Sequence, residues 1–115
     1  MKKKPEIGAK MYFINEHLYY VPRNPAPITE YCVCEGVVTG FFSWGYEEID
    51  ILGKSPEGHT TPYRFKLSLI GKQVFYTPKE AALLAQKMTE QYERTWGWIG
   101  GPGFPMRKSW EKYLK

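Results

Sequence analysis

The sequence predicts an α+β, β-rich domain: a small antiparallel barrel of five to six strands, then one C-terminal amphipathic helix and an aromatic, Gly/Pro-rich tail. Three observations predict it. Residues 75–80 read Phe-Tyr-Thr-Pro-Lys-Glu, where a strand ends and a helix starts: Thr77 caps the first turn, Pro78 suits the first helical position, and Glu80 completes a capping box. Before that junction the chain is almost entirely strand-like alternation and turn residues; after it, Ala81, Leu84, Ala85, Met88 and Tyr92 recur at helical spacing.

Taken in order, Ala9–Asn15 reads as a first strand, and Asn15-Glu16-His17 as a turn into Leu18–Val21, which predicts an opening hairpin. Pro22, Pro25 and Pro27 with Asn24 then form a rigid surface loop. A long strand follows over Thr29–Phe42, with Gly36 and Gly40 expected to mark bends or bulges. Tyr46–Leu52 and Pro62–Ile70 are two more strands, joined by the hydrophilic loop 53–61. Their alternation predicts an antiparallel register: Ile49 beside Phe65 on the core side, with Lys66 opposite Glu48 and Arg64 opposite Asp50 on the wet side. Each such charge pair contributes about 0.2–1 kcal/mol.

Gly71-Lys72 turns the chain into a last short strand, Gln73–Tyr76, and the helix runs from Pro78 to about Trp96, a span of about 28 Å. Gly97 is the expected stop, and Glu90 and Arg94 are ordered for an i,i+4 pair. Residues 1–96 therefore read as one domain, and 97–115 as an aromatic, basic tail that packs on the domain or on a partner, with one or two helical turns near its end.

The chain has 115 residues, enough for one core and no second. Aromatic residues make up 17%, so rings supply apolar area without disulfides. The net charge of +4 is unevenly spread: +3 over residues 1–27, −5 over 28–60, +4 over 61–89 and +2 over 90–115. Such segregation is either satisfied strand against strand or offers a basic surface to a polyanion. Cys32 and Cys34 sit two apart on one strand face, where a disulfide would be strained, and two cysteines with the separated His17 and His59 do not make a zinc set. They read as small apolar residues of a reducing compartment. Lys2-Lys3-Lys4 is followed by Pro5-Glu6 and not by an apolar run, and nothing approaches the roughly 18 apolar residues of a membrane span, so a cytoplasmic protein is expected.

The opening Ile7–Phe13, the segment Glu35–Val38 and the closing Val74–Ala82 resemble short, mostly uncharacterised proteins of Firmicutes, their phages and mobile elements, expected to be SH3-like small barrels. The resemblance covers roughly residues 7–90, and its motifs are structural. It implies a fold and carries over no active site. The tail from Trp96 and the loop Lys54–Thr61 lie outside it.

Chemically, Cys32 or Cys34 with His17 or His59 and Asp50 could be nominated as nucleophile, base and orienting acid, but none lies in a nucleophile turn. Gly100–Gly103 follows a helix and contains a proline, unlike a phosphate loop. The expectation is a non-enzymatic binding module with no catalytic residue, cofactor or metal. Trp44, Tyr46, Trp98, Phe104, Arg107 and Trp110 are the candidate anchors for a protein partner, because Trp, Tyr and Arg carry interface energy. The resemblance suggests a phage or mobile-element accessory factor, such as an inhibitor of a host defence nuclease of the CRISPR effector kind. The alternative is a single-stranded nucleic-acid or RNA binder, using Arg23, Arg64, Lys66 and Lys72 with exposed rings among Tyr12, Tyr19, Tyr20, Tyr31, Tyr63 and Trp98.

Overall fold

The computed structural model describes residues 4–20, 22, 27–43, 47–100 and 107–115, with the backbone alone for 96–100. Five antiparallel strands form one sheet: β1 (Lys10–Tyr19), β2 (Ile28–Ser43), β3 (Glu47–Lys54), β4 (Thr60–Lys66) and β5 (Val74–Phe75), in the order β4-β3-β2-β1-β5. A 23-residue helix, α1 (Pro78–Gly100), follows, and a 3-10 segment, Ser109–Tyr113, ends the chain.

The register of β3 and β4 is the predicted one: Ile49 stands opposite Phe65, Glu48 opposite Lys66 and Asp50 opposite Arg64. Two strands with one apolar and one charged face admit no slip, since a one-residue shift would expose every core side chain. The helix start also follows the sequence. Glu80 N–H donates to Thr77 Oγ1 at 3.3 Å, and the Thr77 hydroxyl donates to Glu80 Oε1 at 2.8 Å, so the two side chains hold each other over the first turn.

Elsewhere the structure differs. The opening hairpin does not form: Asn15, Glu16 and His17 continue β1, which pairs with β2 without a break from Lys10 opposite Val37 to Tyr19 opposite Ile28. A long neighbour offers ladder partners for every residue of β1, and that outweighs the turn preference of Asn-Glu-His. The proline-containing stretch then connects β1 to β2, and Asn24 and Pro25 of the expected rigid loop lie outside the described residues. β4 ends at Lys66, and Leu67–Leu69 winds into a 3-10 turn before the positive-φ Gly71. The last strand shrinks to Val74–Phe75, and α1 continues through Gly97 to Gly100. Arg94 Nε donates to the backbone oxygen of Glu90 at 3.4 Å, whereas Glu93 pairs with Lys108 at 3.6 Å.

Among the described residues the sheet is open, with β4 and β5 at opposite edges. It is nevertheless strongly curled. Phe13 on β1 touches Tyr63 and Phe65 on β4 with ring centroids 4.6 and 5.4 Å apart, where a flat sheet would separate those strands by about 14 Å. The curl encloses Met11, Phe13, Cys34, Val38, Ile49, Ile51 and Val74 as one core. The other face of β1 and β2 takes α1, with Ala82 and Ala85 against Tyr31 and, at its margin, Ile14, Val33 and Met88. The expected bulge is present beside Gly40, where the register shifts after Val38. Gly36 serves a different purpose: it stands opposite Gly53, and a Cβ there would collide with the Ile51 side chain. No helix among the described residues is long and apolar enough to cross a membrane.

Candidate functional site

β2 is longer than either neighbour can cover. β1 pairs with residues 28–37 along one edge, whereas β3 pairs along the other edge only from Gly36 to Ser43. The Gly36–Gly53 rung is the last between the two strands, and there the side chains of Ile51 and Phe13 occupy the space that a Cβ on each glycine would need. Beyond it one edge of β2 runs on without β3.

A groove of about 890 Å³ borders this edge. Gly53, Lys54, Ser55 and Pro56 of the β3–β4 hairpin wall one side, and Arg107, Ser109 and Tyr113 of the tail wall the other. On one face of β2 the groove reaches Val33, Val37 and Leu52; on the other it reaches His17, Glu30, Cys32 and Cys34. Val37 and Leu52 stand directly opposite each other and are 40% and 43% exposed. Glu30 is only 7% exposed, and among the described residues no cation lies within ion-pair distance of its carboxylate. Its neighbour across the ladder, His17, is engaged through Nδ1 with Glu57 Oε1 at 3.2 Å. Lys10, at the mouth, pairs with Glu35 at 3.3 Å.

The thiols in the groove are not activated. Burial, and then the Glu30 carboxylate, raise the Cys32 pKa, and burial raises Cys34 to about 11. Both are protonated at neutral pH, which is the opposite of what a thiolate nucleophile requires. Asp50, nominated as the orienting acid, lies on the charged face of β3 and holds Arg64 instead; His59 sits in the hairpin loop, its backbone N–H donating to Ser55 Oγ at 3.2 Å. Among the described residues no group of three or more His, Cys, Asp or Glu is placed to hold a metal.

Of the residues singled out from sequence as protein-partner anchors, Arg107 lines the groove. Its backbone N–H donates to the Tyr19 hydroxyl at 3.0 Å, and its guanidinium lies 4.1 Å from the Tyr19 ring centroid. Trp110 is a correction: it is 5% exposed, packed between α1 and β2, with Nε1–H donating to Thr89 Oγ1 at 3.1 Å. It closes the core and offers no surface. Trp44, Tyr46 and Phe104 lie outside the described residues, as does the side chain of Trp98.

Of the nucleic-acid set, Arg64 and Lys66 share one face of β4, and both stand opposite carboxylates of β3. Arg64 donates to Asp50 through Nε at 2.7 Å and Nη2 at 3.4 Å and stacks over Phe42, and Lys66 stands opposite Glu48. Lys72 is in the turn that follows the 3-10 segment, and Arg23 lies outside the described residues. Part of the charge segregation is thus answered strand against strand, at Asp50 and Arg64.

Sequence reading missed Glu30, Val37 and Leu52. Glu30 did leave a signal, as the one acid in the apolar run Ile28–Cys34. Comparison with protein-family models, with curated proteins and with solved structures found no match to this chain.

Proposed function

We propose that this protein is a non-enzymatic binding module whose partner is a polypeptide seated in the groove beside β2. The observation that carries this reading is the groove itself: a sheet edge that no described residue caps, a pair of exposed aliphatic side chains on one face and the Glu30 carboxylate on the other. That combination suits a peptide, which presents both backbone and alternating side chains. The curl of the sheet supports reading the scaffold as a partly open small barrel of the SH3-like kind. On the resemblance to barrels of phages and mobile elements, an accessory factor that inhibits a larger protein by occupying it is the corresponding role.

The nucleic-acid reading is disfavoured by Arg64 and Lys66, whose carboxylate neighbours on β3 compete with phosphate. Panning a random dodecapeptide library against the wild type and against Leu52→Glu tests the proposal, with a single-stranded oligonucleotide in a parallel arm at low and high salt. Peptide enrichment that disappears for a folded Leu52→Glu protein is expected. Enrichment indifferent to Leu52→Glu, or salt-sensitive retention of the oligonucleotide alone, would contradict it.

A further inference from the structure

The direction of the backbone groups along β2 can be read from its far end. Val38 N–H donates to Ala9 O at 2.9 Å and Val38 O accepts from Gly8 N–H at 2.8 Å, so both groups of Val38 face the β1 side. In an antiparallel ladder residues two apart point the same way. The β1–β2 register is unbroken from Val37 back to Ile28, so Gly36, Cys34, Cys32 and Glu30 also face β1, and Val33, Tyr31 and Thr29 direct N–H and C=O to the other edge. Among the described residues no backbone hydrogen bond outside the regular strand and helix ladders reaches these three.

Resting on the docking reading above, we infer that the occupant is an extended segment of a partner protein that adds to this edge as a strand, with a lysine or arginine set beside Glu30. Thr29 to Val33 spans about 13 Å, so about five guest residues match it. Side chains of a strand alternate between faces. A guest on this edge therefore presents one set of side chains toward Val33, Val37 and Leu52, and the other toward Glu30, Cys32 and Cys34. The first set is apolar by the character of its neighbours. The second meets the Glu30 carboxylate, which lines the groove and has no cation within ion-pair distance among the described residues, so a guest ammonium or guanidinium finds a charged acceptor there. The Arg107 guanidinium, held over Tyr19 at the tail side, and Lys54, at the hairpin side, are placed to meet the carboxylates or carbonyls of a segment that continues past the groove.

The probe is the acetylated and amidated heptapeptide Val-Lys-Val-Lys-Val-Lys-Val, compared with the same peptide carrying Gln or Glu in place of Lys. Backbone amide shifts of the full chain report the site. The lysine peptide is expected to bind at least about tenfold more tightly than the glutamine peptide, to move the amide of Val33, and to lose that advantage in Glu30→Gln. Val33→Pro removes an N–H that β1 does not use and is compatible with an edge position, so it should fold and yet not bind. Its melting curve checks the fold, and Glu30→Lys, which should favour the glutamate peptide, supplies a second route if it does not. Equal binding of the three peptides, shifts confined to other surfaces, or a folded Val33→Pro protein that binds normally would each overturn strand addition. Library peptides that depend on Leu52 but tolerate Val33→Pro would leave the docking groove standing while removing this occupant, which separates the two failures.

Discussion

Asn15 on β1 donates from Nδ2 to the hydroxyl of Tyr63 on β4 across 2.8 Å, although β2 and β3 stand between those strands in the sheet. The bond is possible only because the sheet folds over Phe13, whose ring contacts both Tyr63 and Phe65. It joins the first strand to the fourth, so it fastens the curl that gives an open sheet an enclosed core.

Tyr63→Phe deletes the acceptor and leaves the Asn15 amide to find water. A loss of about 0.5–1.5 kcal/mol in a denaturant titration is expected. In a double-mutant cycle with Asn15→Ala the coupling energy should be of the same order, whereas two independent sites would add.

The Gly36–Gly53 rung predicts an asymmetry among glycines. A Cβ at Gly53 would lie 2.8 Å from Phe13 Cζ and 3.3 Å from Glu35 O, so Gly53→Ala forces the central ring to move and should cost about 1–3 kcal/mol. Gly40, with nothing within 4 Å of such a Cβ, should accept alanine without loss or gain up to about 1 kcal/mol. Thermal unfolding of the two variants side by side checks both.

Trp110 and Thr89 form a closed polar relay in an otherwise apolar layer: the indole N–H donates to Thr89 Oγ1, and the Thr89 hydroxyl donates to Ala85 O at 2.8 Å. Thr89→Val keeps the shape and removes the acceptor, which should cost about 1–3 kcal/mol for a buried indole N–H without a partner. Trp110→Ala should cost about 3–5 kcal/mol and leave a chain that melts well below the wild type.

Cys34 makes stability depend on alkaline pH. Burial raises its pKa from about 9 to about 11, so the unfolded thiol ionises first. The associated stability is fully present below pH 9 and is lost as pH rises toward 11, by an amount approaching about 2 kcal/mol. The difference between wild type and Cys34→Ala in unfolding free energy should shrink over that window and be constant from pH 6 to 8.

The β3–β4 register was legible because Ile49, Ile51, Phe65 and the opposed charges repeat with the period of a strand, and the cap was legible because Thr77, Pro78 and Glu80 act within one turn. Burial of Trp110 was not, since a tryptophan flanked by charged residues looks the same whether it anchors a partner or returns to Thr89. The groove was not legible either. It depends on where β3 leaves β2, at a rung between Gly36 and Gly53, and neither glycine alone marks that place in the sequence. The unbroken β1 was hidden for a similar reason: Asn15-Glu16-His17 has turn chemistry, and only the length of β2 overrides it.

Amide hydrogen exchange of the free protein, followed by NMR at Cys32, Val33 and Cys34, tests most directly that β2 carries an open edge. The account predicts slow exchange at Cys32 and Cys34, whose N–H groups face β1, and exchange at least about tenfold faster at Val33 between them. Equal protection of all three would mean that the edge is already paired in the free chain, and would contradict the docking site.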